Sequence, residues 1–271
     1  MNDNYSHNDM EIIYITENIP GPAENTLEYE ILLSNFNSLM LESCVCNKMC
    51  VKMLCKCLQI SHGDNYERYI YDGDLKYKLN HKLKVFSGYP IVECNSNCSC
   101  PPTCGNRIVQ SGPLADLIVK LCDDKLKGLG LFTPYFIRKG TFICEYAGEL
   151  LTRNQAVQRS EENKAQGKMN YIFCLNEHTH EGLIQTFVDP SNFGNIGRYI
   201  NHSCEPNSCI VPVRSETAIP HLAIFACRDI SPEEEITFSY SSGSGDKTDI
   251  NRKSCLCKTI SCTGFLPYED F

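Results

Sequence analysis

Thiols are the most concentrated source of chemistry in this chain, with 18 cysteines among 271 residues. Cys44, Cys46, Cys50, Cys55 and Cys57 form one group. Cys94, Cys98, Cys100 and Cys104 form a second, beyond a Tyr- and Lys-rich loop. In Cys44-Val-Cys46 and Cys98-Ser-Cys100 the two sulfurs are too close in sequence for good disulfide geometry, but such spacing suits adjacent metal sites. Nine is odd, so disulfides would leave one thiol over, and two separate tetrahedral zincs would use only eight. Three zincs are satisfied by nine thiolates if three of the sulfurs each bridge two metals. A site with every coordination position filled is structural, and here it would hold together a stretch with few large apolar groups. Near the end of the chain, Cys255, Cys257 and Cys262 leave a fourth zinc one ligand short, and Cys204 is the best candidate to complete it. Cys122, Cys144, Cys174 and Cys227 sit in or beside apolar runs and read as core, while Cys209 is left undecided.

A second concentration lies between Val188 and Asn207. Three turn signals, Asp189-Pro190, Gly194-Asn195 and Glu205-Pro206-Asn207, surround the short apolar run Tyr199-Ile200. That density of punctuation means sharply bent backbone, and this backbone carries Arg198, Asn201, His202 and Cys204. A polar surface loop is the bland alternative. About thirty residues later the run Glu235-Ile-Thr-Phe-Ser-Tyr240 supplies a candidate strand ending in a phenol. Gly128-Leu129-Gly130 is weak evidence alone, although paired glycines let backbone approach a ligand closely.

The elements that must position these groups are short. Runs near 108–110, 117–121, 141–146, 170–175, 183–188, 221–227 and 235–240 are rich in β-branched and aromatic residues and read as strands. One helix is clear, Thr152 to Lys164, where Thr152 and Gln155 match a capping box. The result is a mostly-β domain of small sheets, without the strand and helix alternation of a nucleotide-binding fold. Residues 1–40 suggest little chemistry beyond an edge strand in 11–16. Residues 41–107 read as the cysteine-rich region, 108–241 as the main domain, 242–254 as a linker by composition, and 255–271 as a metal-bound tail. No membrane-length run and no secretory signal are evident, so an intracellular, thiol-preserving compartment is expected. A formal charge of −8 argues against DNA as the main partner. Thiolates on four zincs bring the total to about −13, which favours a basic polypeptide.

Taken jointly, Asn201-His-Ser-Cys-Glu-Pro-Asn207, Glu235 to Tyr240, Gly128-x-Gly130, Tyr146-Ala-Gly-Glu149 and the flanking cysteines resemble a SET-domain protein lysine methyltransferase. The resemblance covers pre-SET, SET and post-SET regions, and the pre-SET is of the suppressor-of-variegation type. A narrower likeness, through Phe187-Val-Asp-Pro190, Gly194 to Arg198 and Ser261 to Pro267, is to the branch fused elsewhere to a mariner-type transposase. The resemblance implies a β-clip-like fold with a pseudoknot, S-adenosylmethionine as methyl donor, a histone H3 tail as substrate, and a nuclear, chromosomal location. By matching position it implies Tyr240 as the catalytic tyrosine and Phe238 as the residue that limits how many methyl groups fit. Tyr146 and Tyr171 would line the lysine channel. Gly128, Leu129, Gly130, Tyr171, Arg198, Asn201 and His202 would contact the cofactor. Leu129 and Ser239 depart from the usual aromatic and Asp. They are the support for the competing reading, a zinc-stabilised chromatin-binding module with weak turnover. The pre-SET likeness points to lysine 9 of H3, and the narrower one to lysine 36 or lysine 4. Glu149 reads as a solvated strand residue.

Overall fold

The β-branched and aromatic runs pair into three four-stranded sheets in the computed structural model, which describes residues 3, 5, 7, 9–40, 42–80, 90–179, 182–241 and 253–267. One sheet orders Phe173–Thr179, Gly182–Asp189, Glu149–Leu151 and Ile19–Pro20. The second orders Asn201–His202, Glu235–Phe238, Leu129–Phe132 and Ile118–Leu121. The third orders Ile91–Val92, Ser208–Arg214, His221–Ala226 and Phe142–Glu145. Their inner faces share a core that includes Leu131, Ile143, Ile196, Ile200, Leu222, Ile224 and Ile236, none more than 1% exposed. The bent segment therefore enters the core through Ile196 and Ile200 instead of lying on the surface.

Among the described residues, three α-helices frame the sheets: α1 (Leu27–Asn37), α2 (Lys56–Ile60) and α3 (Arg153–Ala165). The expected capping box on α3 is present, with Thr152 accepting from the Gln155 amide and the Gln155 side chain accepting from Thr152. Helix α1 has Thr26 as its N-cap and only Tyr29 fully buried. So little of α1 is inward-facing that its apolar pattern is weak in the sequence.

The structure corrects three readings. The run near 108–110 is a 3-10 turn at Val109–Ser111, not a strand. The cause is the buried Glu93 carboxylate, which accepts from the Ile108 amide at 2.7 Å and the Val109 amide at 2.8 Å. Successive amides converge on one acceptor only if the backbone bends. The Tyr- and Lys-rich loop contains a hairpin, Tyr66–Tyr71 with Asp74–Leu79, turned at Asp72-Gly73, both of which have positive φ. Glu149 is 5% exposed, and Arg159 bridges it to Asp189 at 2.7 Å each, so it is a buried ion-pair member. The stretch expected to be a linker lies outside the described residues except for its last two positions.

Candidate active site

The cysteines gather into four-sulfur shells. Sulfurs of Cys44, Cys50, Cys94 and Cys100 lie within one ligand shell, as do those of Cys44, Cys55, Cys57 and Cys94 and those of Cys44, Cys46, Cys50 and Cys55. Cys44 recurs in all three tetrads and Cys50, Cys55 and Cys94 in two each, so sulfurs are shared between shells, though not as three two-metal bridges, and Cys98 and Cys104 belong to none of the tetrads. Two bonds of about 2.3 Å at the tetrahedral angle put sulfurs about 3.8 Å apart. The observed separations are 3.7 Å for Cys44 and Cys50, 3.6 Å for Cys50 and Cys94, and 3.6 Å for Cys57 and Cys98. These are metal-site distances, far longer than a disulfide. Cys104 interacts with Cys94 and Cys50 at the edge of the group. Four-sulfur shells at these separations are a donor set that fits divalent zinc. The tail repeats the pattern, with Cys204, Cys255, Cys257 and Cys262 in one shell and the Cys204 and Cys255 sulfurs 3.9 Å apart.

The bent segment and the late strand meet. Asn201 and His202 pair in parallel with Thr237 and Phe238, next to the antiparallel pairing of Glu235 and Ile236 with Phe132 and Leu131. Asn207 fixes this crossing: its amide nitrogen donates to the Glu235 carbonyl at 2.8 Å, and its side-chain oxygen accepts from the Thr237 amide at 2.8 Å. In the sequence Asn207 stands out only as the end of a motif. Its side chain is the staple between the two pieces of chain. The Tyr240 hydroxyl donates to the Ile200 carbonyl at 2.9 Å, and the Tyr240 amide donates to His202 Nδ1 at 3.1 Å. With Nδ1 accepting, His202 carries its proton on Nε2, which lies 3.5 Å from the Cys204 sulfur. Burial holds this imidazole down at about 4, so it stays neutral near pH 7.

Asn201, His202 and Tyr240 line a cleft of about 490 Å³ that also contains Gly128, Leu129, Tyr171 and Arg198. Gly128 has φ +74, a backbone that suits glycine. Gly130 is needed for room, because a Cβ there would sit 2.7 Å from Cys122 Sγ and 3.0 Å from Glu235 Oε1. The Asn201 amide nitrogen is committed within the protein, donating to the Leu129 carbonyl at 3.0 Å and to Glu235 at 2.9 Å. Glu235 also pairs with Lys127, and so ties three walls of the cleft together. The Arg198 guanidinium lies 3.9 Å over the Tyr171 ring and donates to the Pro190 carbonyl. Behind Tyr240 an aromatic group closes in. The Phe238 ring is 5.0 Å from Tyr240, 5.8 Å from Tyr146 and 6.0 Å from Phe173. Tyr146 donates its hydroxyl to the Tyr171 carbonyl at 2.5 Å. Phe173 belongs to this aromatic group although its run reads simply as a strand.

Residues 128–241 match the SET domain and residues 1–107 the pre-SET motif. The chain is 38% identical over 268 residues to histone-lysine N-methyltransferase SETMAR of Bos taurus, covering 94% of this chain and 81% of that one. The chain belongs to the SET-domain family of protein lysine methyltransferases. It is also 37% identical to the probable histone-lysine N-methyltransferase set-23 of Caenorhabditis elegans, covering 93% of this chain and 95% of that one. Among solved structures, the methyltransferase domain of human SETMAR aligns with TM-score 0.76 at 35% identity, covering 99% of this chain and 93% of that domain. The crossing of Asn201-His202 with Thr237-Phe238 thus lies within the SET domain, with the aromatic group beside it.

Proposed function

We propose that the protein transfers a methyl group from S-adenosylmethionine to a lysine of the histone H3 tail, with lysine 36 or lysine 4 favoured and lysine 9 the alternative. It would act in the nucleus, on chromatin. The observation that carries this reading is the position of Tyr240, which lines the cleft with its hydroxyl fixed on the Ile200 carbonyl and its ring against Phe238. The donor, when bound, supplies a methyl on a positively charged sulfonium. Gly128, Leu129, Gly130, Tyr171, Arg198, Asn201 and His202 are its proposed contacts. The chain's own residues then have three tasks. Tyr146, Phe173, Phe238 and Tyr240 would exclude water from the lysine stem and penalise its ammonium form, so that the amine loses its proton before attack. The Tyr240 oxygen, held by Ile200, would keep a dipole at the place where the methyl passes. Asn207 and Glu235 keep the crossing rigid, so that donor and acceptor stay in line. The zinc groups brace the domain from either end of the chain, with no part in the transfer.

The test is incubation of the zinc-loaded protein with S-adenosylmethionine and H3, followed by mass spectrometry of the peptides. Methyl groups on H3 that disappear with Tyr240→Phe support the enzyme. Binding of H3 without any transfer supports the chromatin-binding reading, which rests on Leu129 and Ser239.

A further inference from the structure

We propose that the N-terminal segment completes the donor cleft, with Asp9 as the residue that accepts a hydrogen bond from the donor's ammonium or ribose hydroxyls. The inference rests on the reading above that the cleft holds S-adenosylmethionine. Although far away in sequence, this segment is built onto the bent region. Ile13 and Tyr14 pair in parallel with Phe193 and Gly194, with the Ile13 amide donating to the Asn192 carbonyl at 2.9 Å and the Ile15 amide to the Gly194 carbonyl at 3.1 Å. Tyr14 donates its hydroxyl to Asp3, and Tyr5 packs partly buried against the main core. Asp9, four residues ahead of this pairing, lies on the cleft wall.

Asp9 is held from two sides. Its Oδ2 accepts from the Tyr199 hydroxyl at 3.1 Å and its Oδ1 from the Glu11 amide at 3.0 Å. A carboxylate has about four acceptor positions, so among the described residues two remain open on an already oriented group. Among the described residues lining the cleft, Asp9 is the one carboxylate, against Lys125, Lys127, Arg198 and Lys253. Donors for an anionic ligand group are therefore plentiful, whereas a charged acceptor occurs once. S-adenosylmethionine brings both kinds of group: a carboxylate, which suits the cations, and an ammonium with two ribose hydroxyls, which need acceptors. Hydrogen bonds to a charged partner are the stronger class, and leaving such donors unpaired in a cleft weakens binding.

Calorimetric titration of the full chain with S-adenosylhomocysteine, which needs no turnover, tests this. Asp9→Asn should weaken binding by about 10- to 100-fold with zinc content and Tm unchanged. Asp9→Glu, which keeps the charge on a longer arm, should fall between Asp9→Asn and wild type. Parallel titration with methylthioadenosine, which has the ribose but no ammonium, locates the contact. An equal loss assigns Asp9 to the ribose, and no loss assigns it to the ammonium. If Asp9→Asn folds and binds S-adenosylhomocysteine within twofold of wild type, Asp9 has no such role. Should Asp9→Asn fail to fold, equal affinities of Asp9→Glu and wild type overturn the proposal. If wild type itself does not bind, the reading of the cleft fails and takes this inference with it.

Discussion

Tyr240 is anchored at both its amide and its hydroxyl by the segment it faces. Replacing it with Phe keeps the ring contact with Phe238 and removes only the oxygen. Turnover should fall by about 10²- to 10³-fold, the usual cost of one preorganised polar group at a reacting centre, while S-adenosylhomocysteine affinity stays within a few fold. Parallel rate and calorimetric measurements separate the two effects. His221 makes a different kind of contact. Its Nδ1 lies 3.0 Å from Glu145 and its Nε2 3.0 Å from the Ser215 hydroxyl, an order that looks like a nucleophile, base and acid. Ser215 is only 2% exposed, which leaves no way in for a substrate. Burial alone would depress the imidazole, but the Glu145 carboxylate, with Glu93 and Glu17 further off, overrides it and holds His221 up at about 9. The group is therefore a charged lock. Its folded value lies above the unfolded 6.5, so its contribution is complete below about pH 6.5 and is lost as pH rises through about 9. The stability gap between wild type and His221→Gln should shrink by about 3 kcal/mol between pH 6 and pH 10 in denaturant unfolding. A gap independent of pH would contradict this.

At the scale of elements, the turn at Gly194 to Tyr199 shows what sequence reading could and could not supply. Its punctuation correctly announced bent backbone, but punctuation does not tell a surface loop from a core-penetrating one. The difference lies in Gly197, where a Cβ would stand 2.3 Å from the Glu145 carbonyl oxygen. Gly197→Ala should cost about 3 kcal/mol, visible as a lowered unfolding midpoint, because backbone of the adjacent strand would have to move. The cysteine groups were legible because odd counts and short spacings have few chemical solutions. The hairpin at Tyr66–Tyr71 and Asp74–Leu79 was not, because its residues are largely exposed and lack clean alternation. Ser208–Arg214 was hidden in another way, with Pro212 inside a strand that nevertheless pairs on both sides. Cys204 ties the tail to the bent segment, so Cys204→Ser should remove one zinc of four by metal analysis. The three held by Cys44 to Cys104 should remain, while the loosened tail, which contributes Leu256 and Cys257 to the cleft, weakens donor binding.

Over the whole molecule, charge is divided in a way that neither the composition nor the cleft shows alone. The chain is acidic at −8 before zinc thiolates and about −13 with them, yet the cleft wall carries Lys125, Lys127, Arg198 and Lys253 against Asp9. Local cations suit the carboxylate of a small donor, whereas the long-range field attracts a basic tail. The two operate at different distances, and salt separates them. At 0.01 M ionic strength the field of the whole protein reaches about 30 Å, but at 0.15 M only about 8 Å. Encounter with a lysine-rich H3 peptide should therefore slow as salt is added, while affinity for the donor, set by contacts inside the cleft, changes little. We expect kcat/KM for an H3 peptide to fall about tenfold between 20 and 300 mM NaCl. The same peptide with its non-target lysines acetylated should start lower and respond weakly. Equal salt responses of the two peptides would show that the acidic field does not steer the substrate, and recognition would then have to come from short-range contacts alone.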